Sequence, residues 1–128
     1  MNKLEKESVI GISALLVHAA KIDEIYSEHE RNLIKNFIKS YLKNDDINET
    51  LNKAEEIESN SNQLLNFTNI IKETSMDIKK DIVENLWKII ISDKTIDQYE
   101  SNLMRRICGL IYFPDKECGE IKLKLINS

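Results

Sequence analysis

The chain has 128 residues, 41% hydrophobic and 31% charged, with only three glycines and one proline. That length suits a single domain with a real core, and so few turn-forming residues argue against an all-β fold. With 18 basic against 22 acidic side chains, a net charge of −4 and a pI near 5.3, the chain lacks the basic character of duplex-binding proteins, so no nucleic acid partner is expected.

The run from Val9 to Ala20 is short, apolar and near the start. It is read as a buried first helix, about Lys3 to Ile22, with Val9, Ile12, Leu16 and Ala19 on one face and Leu15 and Ala20 broadening it. A signal peptide needs a positive leader, and here Glu5 and Glu7 cancel Lys3 and Lys6. The run is also too short to span a bilayer. No transmembrane segment is found, so a cytoplasmic protein is expected.

Helix two opens at Ser27 with Glu30 three residues on, the pattern of a capping box. Its stripe is Leu33, Ile34, Phe37, Ile38, Tyr41 and Leu42. Asp45 or Asp46 caps a third helix through Leu51, Ala54 and Ile57, and the polar stretch from Glu58 to Asn62 reads as a break. Helix four carries Leu64, Leu65, Phe67, Ile70 and Ile71. Thr74 or Ser75 caps helix five, whose inward residues are Ile78, Ile82, Val83, Leu86, Ile89 and Ile90. Helix six starts at Asp97, with Glu100 as its capping partner, and its stripe is Leu103, Met104, Ile107, Leu110 and Ile111. Pro114 ends it, and a last helix runs from about Asp115 to Leu125. The expected fold is an all-α, compact bundle of about seven helices in one domain, residues 1–128.

An internal repeat is visible at an offset of 70. Leu16 then falls on Leu86, Asp23 on Asp93, Glu30 on Glu100 and Leu33 on Leu103. Two pseudo-symmetric helical hairpins, about 9–43 and 79–113, are therefore expected to share one core.

Each hairpin carries an acidic turn in which an Asp precedes a Glu by seven residues, the spacing of the back half of an EF-hand loop. The front half is missing. Positions one and three are Ala19 and Lys21 in one copy and Ile89 and Ile91 in the other, and the pivot glycine is Glu24 or Lys94. Pooled carboxylates remain an option: Asp23, Glu30, Asp93 and Glu100 as ligands of one hard divalent cation, Ca²⁺ or Mg²⁺, if the turns meet. The capping reading is preferred, because two capping boxes explain both glutamates without an ion.

These residues carry a family resemblance. An apolar helix, Asp-x-x-(aliphatic or aromatic)-(Ser or Asp)-x-x-Glu and a second apolar helix, occurring twice, resembles the tellurite-resistance TerB family. The second copy is the closer match, with Leu86-Trp87, Asp93, Asp97, Tyr99-Glu100 and Leu103-Met104-Arg105-Arg106; the stretch from Leu64 to Thr68 is also similar. The resemblance covers about Leu4 to Glu117. It implies a compact all-α domain, also seen at the N-terminus of a DnaJ-like co-chaperone, with a link to stress response, divalent-metal binding, scaffolding and no established catalysis. The family's usual Ala-Asp-Gly turn is Ile22-Asp23-Glu24 and Ser92-Asp93-Lys94 here, which weakens the implied metal role.

Other chemistry is thin. Cys108 and Cys118 make neither a disulfide framework nor a zinc motif and read as reduced thiols. His18 reads as a core or boundary histidine and His29 as solvated. Trp87, Phe67, Phe37 and Tyr41 read as core, Arg105-Arg106 and Lys79-Lys80 as ordinary surface. No Glu-x-x-His pair, P-loop or Gly-rich phosphate turn occurs. The expectation is a non-enzymatic TerB-like module that binds a protein partner or self-associates, with metal binding through the acidic turns as the alternative.

Overall fold

The computed structural model describes residues 4–21, 26–42, 46–61, 65–91 and 98–127, with backbone alone at 98–100. Seven helices and no strand occur among them: α1 (Lys6–Ala20), α2 (Glu28–Tyr41), α3 (Ile47–Asn60), α4 (Leu65–Lys72), α5 (Met76–Ile91), α6 (Gln98–Leu110) and α7 (Asp115–Ile126). The all-α expectation therefore holds. The starts of α1 and α2 lie 70 residues before those of α5 and α6, the offset at which the sequence pairs its residues.

α1 is apolar on nearly every side, so no single neighbour can cover it. From Val9 to Val17 every residue is buried, and α2, α3, α4 and α5 all pack against this helix. At Gly11 the Cδ1 methyl of Ile70, from α4, occupies the space that a Cβ would need. One contiguous cluster of buried residues draws on all seven helices, from Val9 through Phe37, Leu51, Ile71 and Leu86 to Ile107 and Ile121.

Helix starts follow the local chemistry the sequence offers. Ser27 Oγ accepts from the Glu30 amide at 3.1 Å, while Glu30 Oε1 accepts from the Ser27 amide at 2.8 Å, a complete capping box. Asp46 Oδ1 accepts from the Glu49 amide at 3.1 Å, and Ser75 Oγ from the Ile78 amide at 3.3 Å. Each bond satisfies an amide that the first turn of a helix leaves without a partner.

Several expectations are corrected. α1 is shorter than expected, beginning at Lys6 and ending at Ala20. α3 continues through Glu58 and Ser59 to Asn60, so the break starts only at Ser61; side chains from α1 hold Glu58, as described below. Ile57 and Leu65 face solvent rather than the core. Lys79, read as ordinary surface, is buried. Pro114 is not the stop of α6. The helix ends at Leu110 because Tyr112 turns left-handed, with φ of 61°. The Phe113 amide then returns to the Cys108 carbonyl at 2.8 Å, and the Tyr112 amide to the Gly109 carbonyl at 3.4 Å. This is a Schellman ending built on a tyrosine, and Pro114 instead stands at the N-cap of α7.

Ser13 is the one buried side chain among the described residues whose polar atom finds no hydrogen-bond partner. Its hydroxyl is fully enclosed in the middle of α1, where an unmade hydrogen bond is costly. Ser13→Ala removes that hydroxyl and gains helix propensity. It is expected to raise stability by about 1 kcal/mol in urea or thermal unfolding.

Candidate functional site

Of the four carboxylates singled out in the acidic turns, one is described. Glu30 is buried in the capping box, where its Oε1 also accepts from Ser27 Oγ at 3.0 Å. Asp23, Asp93 and the side chain of Glu100 lie outside the described residues, as do Asp97 and Leu64. Among the described residues no group of three or more His, Cys, Asp or Glu side chains converges on a point.

What the structure places beside the first acidic turn is a pair of glutamates on α3. Glu55 and Glu58, three positions apart, share one helix face. Glu55 Oε2 accepts from Tyr26 Oη at 2.6 Å and Arg31 Nε at 2.9 Å. Glu58 accepts from Lys21 Nζ at 2.8 Å and pairs with His18 Nδ1 at 3.2 Å. His18 and Lys21 belong to the end of α1, Tyr26 and Arg31 to the entry of α2. One face of α3 thus grips the chain on both sides of residues 22–25. Burial alone would push the Glu55 carboxyl up, but the hydrogen bonds from Arg31 and Tyr26 and the charges of Arg31 and Lys21 outweigh it and hold the group below the usual carboxylate range. Burial and the same Glu55 push the Tyr26 phenol up. Sequence reasoning missed this cluster because its partners lie 24 to 40 residues apart.

A second arrangement joins α5, α6 and α7. Cys108 is fully buried and Cys118 is 5% exposed. The two thiols act on each other electrostatically, and the Trp87 indole N–H reaches Cys118 Sγ at 3.3 Å and the Cys118 carbonyl at 3.1 Å. Cys108 pulls the Cys118 thiol down against its burial; Trp87 and the charge of Lys122 pull the same way, and Asp115 opposes them. Cys108, beside Cys118 and in a dry site, is pushed up. Cys118 lies in the wall of an open cleft of about 470 Å³, together with Trp87, Met104, Arg105, Asp115 and Lys122. Lys122 also stacks over the Trp87 ring, its Nζ 5.3 Å from the centroid. The reading of both cysteines as free thiols agrees with the structure, but their interaction was not foreseen.

The α3 grip makes acid stability depend on Glu55. Its folded carboxyl ionises more readily than in the unfolded chain, so its contribution is full above the ordinary carboxylate pKa. It is lost as pH falls through the lowered folded value. Glu55→Gln is expected to cost about 1–2 kcal/mol at pH 7 and to flatten the acid side of a stability–pH curve from urea unfolding. Tyr26→Phe, which removes one bond and no charge, should cost less and keep that slope.

No helix of the described residues is long and apolar enough to cross a membrane. Comparison with curated proteins and with solved structures gave no match. A family model described as tellurite resistance protein TerB matches residues 10–123. That span runs from the buried start of α1 to the last turns of α7 and takes in both hydrogen-bonded clusters, so the chain belongs to the TerB family.

Proposed function

We propose that this TerB-family chain is a non-catalytic, stress-response interaction module that works in the cytoplasm by pairing with a second copy of itself through α7. The stress-response part of the reading comes from the family's description as a tellurite resistance protein. The interaction part is carried by the surface of α7. Leu123 and Ile126 are 59% and 48% exposed on its outer side. An open groove of about 420 Å³ runs between α5 and α7, lined by Ile121 and Leu125 together with Lys80, Glu84, Glu117, Glu120 and Lys124. An apolar centre with a charged rim is the usual anatomy of a protein contact.

The charges favour a copy of the same helix as occupant. On α7 the groove-side acids Glu117 and Glu120 come first and Lys124 follows. Two such helices laid antiparallel bring Glu120 of each copy beside Lys124 of the other, and a twofold axis makes that pairing reciprocal. Leu123, one turn from Glu120 on the helix surface, is then covered.

Sedimentation velocity across a concentration series tests this. A monomer–dimer equilibrium is expected, weakened about tenfold or more by Leu123→Glu, since each copy loses a buried leucine. Lys124→Glu should weaken it and Glu120→Lys in the same chain restore it. A protein that stays monomeric at every concentration overturns self-association.

A further inference from the structure

The neighbouring cysteines Cys108 and Cys118 have a chemistry that the interaction reading does not use. One thiol is sealed in the core and the other stands in the wall of an open cleft. Around the outer thiol stand an indole N–H donor at 3.3 Å and, lining the same cleft, two cationic side chains, Arg105 and Lys122, and one carboxylate, Asp115, whose charge opposes the thiolate. This cleft lies between α6 and α7, on the flank of α7 away from the groove described above.

We propose that Cys118 is a hydroperoxide-reactive thiol and Cys108 its resolving partner, so that α6 and α7 become joined by a reversible disulfide under peroxide. The attacking species is the Cys118 thiolate. Its neighbour Cys108, the Trp87 N–H and the charge of Lys122 favour that thiolate over the opposing burial and Asp115 charge. With the residue 5% exposed, the cleft admits a small oxidant and disfavours a bulky one.

Each step balances. The Cys118 thiolate attacks the terminal oxygen of a hydroperoxide ROOH; an S–O bond forms, the O–O bond breaks, and RO⁻ leaves to take up a proton as ROH. Cys118 is now a sulfenic acid, oxidised by two electrons, and the peroxide is reduced. Arg105 and Lys122, which line the cleft, are the cations available to offset the charge of the departing alkoxide. The Cys108 sulfur then attacks Cys118 Sγ; an S–S bond forms, the S–O bond breaks, and hydroxide leaves as water with the proton that Cys108 gives up. The sum is two thiols and ROOH going to one disulfide, ROH and water. A thiol reductant reverses it.

The test uses the purified full chain and hydrogen peroxide, read by intact mass and by peptide mapping without reduction. The expected product is 2 Da lighter with a Cys108–Cys118 cross-linked peptide, formed about tenfold faster than free cysteine is oxidised at pH 7. In Cys108→Ser the reaction stops at a Cys118 sulfenic acid that dimedone traps. In Cys118→Ser both products disappear. Arg105→Gln and Lys122→Gln each slow the first step. Iodoacetamide labelling of the unaltered protein across a pH series needs no variant that disturbs the core, and should label Cys118 first, with a midpoint below that of free cysteine. Oxidation no faster than free cysteine overturns the proposal, and so does labelling of Cys108 ahead of Cys118. A monomeric protein that still forms the disulfide would overturn the pairing reading and leave this one standing.

Discussion

α1 is apolar around almost its whole circumference, and none of the nine residues from Val9 to Val17 is left to water. A helix of that kind has no solvent face, so its neighbours are dictated: α2, α3, α4 and α5 must close round it. Two details show how closely they close. Ile70 from α4 reaches into the gap that Gly11 leaves, and the hydroxyl of Ser13 is enclosed with no partner. The amphipathic stripes of α2 and α5 follow from the same demand, since each has one side on the core and one in water.

A buried helix must still end, and its last turn brings unpaired carbonyls and a change of direction into a crowded place. Here α3 manages that corner with charge. Glu58 holds the end of α1 through His18 and Lys21, and Glu55 holds the entry of α2 through Tyr26 and Arg31. The capping box at Ser27 and Glu30 supplies the local part of the same corner. Exposed ion pairs contribute little, but these are half-buried and share acceptors, so each donor is oriented by the other. Tyr26 and Arg31, both donating to Glu55, also favour its ionised form.

How much of this the sequence discloses depends on the range of the interaction. Short-range chemistry is legible: the capping box, the Asp46 cap and the stripes of α2, α5 and α6 follow from spacings of three and four residues. Interactions between distant residues are not. Nothing near Glu58 signals that α1 will supply its partners, so a polar run that looked like a break stays helical to Asn60. Lys79 looks like surface until the packing of α5 buries it. Tyr112 gives no sign of its left-handed turn, because glycine is the residue that usually marks one. The thiol pair had a faint signal: Cys108 stands one position after Ile107 in the α6 stripe, and Cys118, Ile121 and Leu125 are spaced as one inward face of α7. Trp87, 31 residues before Cys118, could not be joined to them without the fold.

The two ends of the bundle solve one problem with different materials. α3 lies over α1 and α2, and α7 lies over α5 and α6. The first cover is polar where it meets its hairpin, and its four donors meet two carboxylates. The second is soft: two sulfurs and an indole, with Lys122 stacked above the ring. Ionic contacts of the first kind respond to acid and salt and are indifferent to oxidants. Thiol contacts of the second kind change covalently when an oxidant reaches them. A disulfide between α6 and α7 would tie the second cover to its hairpin while the first stays as it is. The responsive half of the molecule is therefore the one whose cover contains cysteine, and a perturbation there reaches α7, the helix that also carries the exposed leucine and isoleucine.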